Sequence, residues 1–207
     1  PDTRTDAMVS WIDILPTLVD FAGGKAPKDI DGRSFGGVLL GKTNSHRDLI
    51  FTTHSGDGNH NVYPSRSVRD DRWKYILNLH PEFKFASHVT EATNDIAYWK
   101  TWVKKAKTNP EAARKVKRYQ QRPAEEIYDL QNDPLEEHNL ADRPEQAARL
   151  AKMRGEVRDW MKEQGDKVPA EIKGKVESCI ADVKKAIEAN DPDTMKSSLE
   201  ALNNLMQ

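Results

Sequence analysis

An α+β fold is predicted by two features of the sequence. Short β-branched and aromatic runs fall between residues 49 and 130, and longer amphipathic periodicities flank and interrupt them. A third feature, the loss of all aromatic residues after Trp160, predicts that the chain closes with a separate helical hairpin. The expected architecture is a small antiparallel sheet of about four strands packed with helices, followed by that hairpin.

In residues 7–22, AMVSWIDILPTLVDFA, Val9, Trp11 and Ile12 suit the end of a strand. Pro16 suits the first turn of a helix, where its missing N–H costs nothing. Asp13 is the expected N-cap and Gly23-Gly24 the expected stop. KAPKDIDGRS reads as a loop, and a short helical turn through Val38, Leu39 and Leu40 ends at Gly41. Residues 49–53, 65–69 and 73–79 read as strands. Between the first two lies HSGDGNHNVYP, residues 54–64, a polar and glycine-rich loop. Asp70-Asp71 makes a solvent-exposed hairpin turn between the second and third. Trp73, Tyr75, Leu77 and Leu79 alternate with other residues, as a half-buried antiparallel sheet requires.

A basic helical region spans residues 95–121, with Tyr98, Trp102 and Ala106 on one face. EEIYDL, residues 125–130, is the expected last edge strand. A turn-rich connection leads to an amphipathic helix over 144–163, with Leu150, Met153, Val157, Trp160 and Met161 as its apolar stripe. Beyond it, Ile172, Val176, Ile180, Val183 and Ile187, then Met195, Leu199, Leu202 and Met206, recur at steps of three and four. Asp191-Pro192 supplies an N-cap and a first-turn proline between the two helices.

Composition narrows the partners. Charged residues make up 31% and hydrophobic residues 37%, and the mean hydropathy is -0.81. That is polar for a compact domain, so part of the surface is expected to lie against something else. A net charge of -1 leaves no overall basic field for nucleic acid or an anionic membrane. No apolar run approaches the roughly 20 residues that span a bilayer. The single cysteine, Cys179, excludes an intrachain disulfide and a multi-cysteine zinc site, and reads as a small apolar residue on a helix seam. His46, His80, His88 and His138 lack mutual metal-ligand spacing. The basic run from Lys100 to Arg118 reads as a solvated helix face that can also attract a sulfated glycan.

Four stretches, in order, resemble the sulfatase family: VSWIDILPTLVDFAG at 9–23, DGRSFGGVLLG at 31–41, VRDDRWKYILN at 68–78 and EEIYDLQNDPLEEHNLAD at 125–142. The last, with its Tyr-Asp-Leu, Asp-Pro and Asn-Leu spacing, is the most specific. YPSRSVRDDRWKYILNL and the aromatic, basic insert before EIYDL bring the resemblance nearest to heparan N-sulfatases (N-sulfoglucosamine sulfohydrolases). The resemblance implies that residues 1–45 are a remnant of the family's α/β core and that 46–163 are its C-terminal subdomain. It also implies a parent enzyme that hydrolyses sulfate esters or sulfamates of glycosaminoglycan sugars, using calcium and a formylglycine made within Cys/Ser-x-Pro/Ala-x-Arg. Neither that motif nor the metal ligands occur here, and the chain opens on Pro1, so an N-terminal core is expected to be missing and the chain inactive alone. No cofactor is assigned to the chain itself.

What the resemblance leaves is substrate recognition by the loop at 54–66. His54, Asp57, His60, Asn61 and Arg66 offer donors and acceptors for sugar hydroxyls, sulfate or carboxylate, Arg66 with a fork that matches an anion bidentately. A surface loop built from turn-forming residues is the equally weighted alternative. Residues 164–207, GDKVPAEIKGKVESCIADVKKAIEANDPDTMKSSLEALNNLMQ, resemble the C-terminal helical lid of DnaK-type chaperones. That likeness implies no ATPase and no peptide site. A join between the two families in WMKEQGDK points to a hybrid reading frame, a recombination product or an assembly error. The sulfatase-like part implies a periplasmic or secreted location and the lid-like part a cytoplasmic one.

Overall fold

The protein is described from a computed structural model that covers residues 3–56, 63–87, 90 and 97–205. It divides into two compact units, Pro1–Val157 and Arg158–Gln207. In the first unit a 3-10 turn (Trp11–Asp13) runs into α1 (Ile14–Phe21), followed by α2 (Gly36–Leu39) and strands β1 (Ile50–His54), β2 (Ser65–Arg69) and β3 (Trp73–Asn78). Helices α3 (Ala97–Ala106) and α4 (Pro110–Gln120) lead to β4 (Glu125–Asp129). A 3-10 turn (Pro144–Gln146) then enters α5 (Ala147–Lys167), which contributes residues to both units. The second unit is completed by α6 (Ala170–Glu188) and α7 (Pro192–Leu205). The fold is α+β, with a C-terminal helical hairpin. Among the described residues no helix is long and apolar enough to cross a membrane.

The N-terminal segment corrects two expectations. Val9 to Ile12 form no strand, and the Asp13 side chain does not cap α1. Asp13 is fully buried and turns its carboxylate backwards. Oδ2 accepts the Ser10 N–H at 2.9 Å, Arg47 Nε at 2.7 Å and a contact from His46 Nε2 at 3.1 Å. Oδ1 accepts the Arg33 N–H at 3.0 Å and a second Arg47 nitrogen. The neighbouring Thr17 hydroxyl donates to the Asp13 carbonyl at 2.6 Å and accepts the Phe35 N–H at 3.0 Å. Thus Asp13-x-x-Pro16-Thr17 ties three separate stretches together. Gly32 makes this possible: a methyl group there would lie 1.9 Å from the Ile12 carbonyl oxygen. Helix α1 stops as expected, with Gly23 at φ +74° and its N–H bonded to the Asp20 carbonyl, while Gly24 bonds Val19.

The backbone is pinned, yet Trp11 is 87% exposed and Leu15, Leu18 and Phe21 are each more than half exposed.

The sheet is antiparallel in the order β1-β2-β3-β4. Its alternation is fuller than a half-buried sheet, because β3 is central and both of its faces are covered. Trp73 and Tyr75 face α5 together with Val68 and Ile127, while Ile76 and Asn78 are buried on the other face. Helix α5 lies over the first face: Arg149 stacks on the Trp73 ring at 4.2 Å, and Arg154 forms a bidentate pair with Glu125, both contacts at 2.6 Å. The Tyr75 hydroxyl donates to the same carboxylate at 2.6 Å. Leu150, Met153 and Val157 are the buried part of the α5 stripe; Trp160 and Met161 are half-buried.

The connection after β4 protects the sheet edge. Asn139 accepts the Ile127 N–H at 2.9 Å and donates to the Glu125 carbonyl at 3.0 Å, and the Leu140 N–H bonds the Ile127 carbonyl. Asp133 accepts the N–H groups of Glu137 and His138, which rounds the loop. The edge is thus closed by a side chain and one backbone group rather than by another strand.

The basic helical region is two helices. Asn109 caps α4 by accepting the Ala112 N–H at 2.9 Å, and Pro110 starts it. The face of Tyr98 and Trp102 is half exposed rather than core; Trp99 instead packs on Tyr119, with ring centroids 5.1 Å apart.

In the second unit the α6–α7 turn is as expected, with Asp191 accepting the Thr194 N–H at 3.1 Å. The seam agrees in part with the expectation, at Val176, Cys179 and Val183. Val176, Cys179, Val183 and Ala186 are covered, whereas Ile172, Ile180 and Ile187 are exposed.

The Asp13 knot generates a stability prediction. Burial pushes the Asp13 pKa up, but the Arg47 guanidinium and the N–H groups of Arg33 and Ser10 outweigh it and hold the carboxyl well below the usual range. Asp13→Ala leaves Arg47 unmatched and is expected to cost about 3–5 kcal/mol, read as a lower urea midpoint. Because the folded pKa is depressed, the contribution is complete above the unfolded value and is lost as pH falls below about 4. Urea titrations of the wild type should show this acid loss, and the Asp13→Ala variant should show less of it.

Candidate functional site

The face of the sheet opposite α5 carries a polar cleft of about 320 Å³. It follows from strand alternation: Thr52 and His54 of β1, Ser65 and Ser67 of β2, and Lys74, Ile76 and Asn78 of β3 all leave the sheet on this side. Thr52 and Ser67 face each other across the strands and share a hydroxyl hydrogen bond. Lys74 Nζ sits at one margin, paired with Glu136 at 2.8 and 3.0 Å. Tyr63 and Phe85 form a wall, edge to face at 5.3 Å. Tyr63 is 1% exposed, and its buried hydroxyl has no hydrogen-bond partner among the described residues. Burial raises its pKa, so the group remains a neutral donor.

Beneath this lies a buried ionic network. Glu126 accepts both Arg122 Nε at 2.8 Å and Nη2 at 2.9 Å, together with Asn78 Nδ2 at 2.8 Å and the Tyr128 hydroxyl. Burial pushes the Glu126 pKa up, but Arg122, Tyr128 and Asn78 reverse the shift, so the carboxylate is held ionised. Both carboxylate oxygens are engaged, as a buried charge requires. This network shapes the cleft floor and offers no open position for a substrate proton.

Of the residues expected to face a ligand, His54 lines the cleft. Arg66 leaves β2 in the opposite phase from Ser65 and Ser67, and donates to the His54 carbonyl at 3.0 Å and the Ser65 carbonyl at 2.8 Å. It holds the mouth of the loop together. Asp57, His60 and Asn61 lie outside the described residues. Thr52, Ser65, Ser67 and Lys74 join the site although no local motif marks them. Their signal is the spacing Thr-x-His, Ser-x-Ser and Lys-x-Ile-x-Asn on three consecutive strands, which the aromatic phase of β3 overshadows.

The cleft presents hydroxyls, an amide, an imidazole, a phenol and an ammonium against one aromatic wall. Such a lining suits a polyol with an anionic substituent. It does not suit calcium, which takes six or more oxygen ligands. Among the described residues no three His, Cys, Asp or Glu side chains converge as a metal site. Asp70 accepts the N–H groups of Arg72 and Trp73 in the hairpin, and Asp13 is held by the Arg47 guanidinium.

Residues 1–95 match the family described as N-sulphoglucosamine sulphohydrolase, C-terminal. Two ulvan-active sulfatases of Formosa agariphila are similar to the chain, one 34% identical over 168 residues, covering 80% of this chain and 31% of the relative. The other is 29% identical over 170 residues, covering 80% and 27%. The chain thus spans less than a third of the length of these curated relatives. Among solved structures, a 2-O GAG sulfatase superposes with a TM-score of 0.54 at 23% identity, covering 79% of this chain and 27% of that one. A sulfatase structure from Bacteroides thetaiotaomicron gives 0.51 at 24%, covering 74% and 25%. The fold is shared with these structures. The chain carries a sulfatase C-terminal segment.

The network beneath the cleft can be tested directly. Arg122→Ala strands the Glu126 charge in the interior and is expected to cost about 3–5 kcal/mol. Thermal unfolding should show it. The double variant Arg122→Ala, Glu126→Gln should recover part of the loss, and equal stability of the single and double variants would show that the pair is not coupled.

Proposed function

We propose that this chain is the C-terminal part of a sulfatase that acts on sulfated glycosaminoglycan sugars, with N-sulfoglucosamine the first candidate, and that the cleft beside His54 and Lys74 contacts the sugar. The observation that carries this reading is position. The polar cleft draws its three strands from the same residues, 1–95, that match the N-sulphoglucosamine sulphohydrolase C-terminal family. The relatives named ulvan-active sulfatases support a sulfated polysaccharide as the class, while leaving N-sulfoglucosamine as the finer choice.

In this reading the nucleophile and calcium belong to an α/β core outside these residues. The exposed apolar face of α1, with Trp11 just before it and Leu15, Leu18 and Phe21 along it, is the surface that packs on that core. Residues 164–207 are read as a DnaK-type lid hairpin joined to the sulfatase part. Amplification across residues 150–180 from the source organism tests the join, and an unbroken native product establishes it as natural.

Calorimetric titration with an N-sulfated glucosamine disaccharide should give measurable binding. His54→Ala and Lys74→Ala should each weaken it about tenfold, the loss of one hydrogen-bonded or charged contact. Absence of binding at millimolar ligand overturns the cleft assignment. Sulfate release by the purified chain alone overturns the placement of the catalytic groups elsewhere.

A further inference from the structure

We infer that a second cleft, between α3–α4 and the β4–α5 connection, binds the next sugars of the same chain, so that the protein holds an extended anionic oligosaccharide rather than a single residue. This rests on the reading of the first cleft as a sugar site and extends it.

The second cleft has a volume of about 540 Å³. Its aromatic lining is Trp99, Trp102, Tyr119 and Tyr128. Trp102 is 49% exposed, an unusual state for an indole on a helix that has a neighbouring helix to pack against. An open indole face beside polar groups is suited to the apolar C–H face of a pyranose. The cleft is also lined by Lys115 and Arg118. Lys115 reaches its carboxylates, Glu111 and Glu137, only at 3.5 and 3.4 Å, longer than a good charge-assisted hydrogen bond. Both partners are themselves accessible, so the ammonium can exchange them for a ligand sulfate or carboxylate at small cost. Arg118 donates one bond to the Glu137 carbonyl.

Continuity with the first cleft is the decisive feature. Arg122 and Glu136 line both clefts, and Glu126, Tyr128, Lys74 and Ile76 stand on the same sheet face. A ligand seated over Ser65 and Ser67 therefore reaches the second cleft past Arg122 and Glu136, the residues that border both. The combination of a hydroxyl-lined first position and an aromatic, cation-edged second one matches a polymer of sugars with periodic anionic groups.

The test is chain length. Isothermal titration of the full chain with heparin-derived disaccharide and hexasaccharide should show the hexasaccharide binding at least tenfold tighter, with Trp102→Ala removing most of that gain and leaving disaccharide affinity unchanged. Trp102 is half exposed, so the variant should fold; a circular dichroism melt checks this. Equal affinities for the two lengths overturn the second cleft while leaving the first intact. Hexasaccharide binding that depends on Trp102 but not on His54 supports the second cleft and overturns the reading of the first. No binding of either length overturns both.

Discussion

Two adjacent glutamates organise the first unit. Glu125 and Glu126 are consecutive in β4, so the pleat sends them to opposite faces of the sheet. Each is met by one arginine in a two-point contact and by one tyrosine hydroxyl. Glu125 takes Arg154 from α5 and Tyr75; Glu126 takes Arg122, just past α4, and Tyr128. A carboxylate taken out of water is tolerated only with such company, and a forked guanidinium is the group that supplies it with fixed geometry. The pair therefore acts as a two-sided clamp. It sets where α5 lies on one face and where the α4 end lies on the other. A one-residue slip of β4 would expose each carboxylate to the wrong partner, so the register of the edge strand is specified by charge as well as by Ile127 and Tyr128.

The same device recurs at Asp13, where one buried carboxylate gathers Arg47, His46 and two backbone N–H groups from three stretches of chain. Its role differs because almost no apolar burial accompanies it. The large side chains of α1 point outward, so the segment holds its shape mainly through polar contacts. Such contacts contribute less net stability than core burial but fix direction strongly. They hold the backbone of α1 while its apolar face stays exposed.

The sheet is legible in the sequence because β-branched and aromatic runs alternate at period two between clear turns, and because Asp70-Asp71 is a local turn signal. The helical hairpin is legible by period, which puts Val176 and Val183 on its seam but adds Ile172, Ile180 and Ile187, which are exposed. The small residues Cys179 and Ala186 are covered instead. What is not legible is long-range. Nothing local announces that Asp13 bonds Arg47, 34 positions away, rather than capping its own helix. The site shows the same limit. His54 can be picked out, but Arg66 and the hydroxyl row differ only by the phase of one strand, and phase depends on which face the rest of the chain covers. The Asp-Pro and Asn-Leu spacing of residues 125–142 is specific for a reason that only the fold supplies: Asn139 and Leu140 seal the edge of β4.

The clamp also constrains how the two clefts can bind. Arg122 borders both, yet it cannot be the anion contact for a ligand, because drawing it away would leave Glu126 buried and unpaired, a penalty of several kcal/mol against a contact of about one or two. The cations free to exchange partners are those whose carboxylates are accessible: Lys74 with Glu136, and Lys115 with Glu111 and Glu137. These lie on the margins, while Arg122 stands between the clefts as a fixed, neutralised divider. On the proposed reading, an anionic chain crossing this face is held at its charged substituents by the marginal lysines and at its sugar rings by the hydroxyls and aromatic side chains that line the clefts. On that reading, affinity depends on salt mainly through the lysines, and on chain length mainly through the side chains that line the clefts.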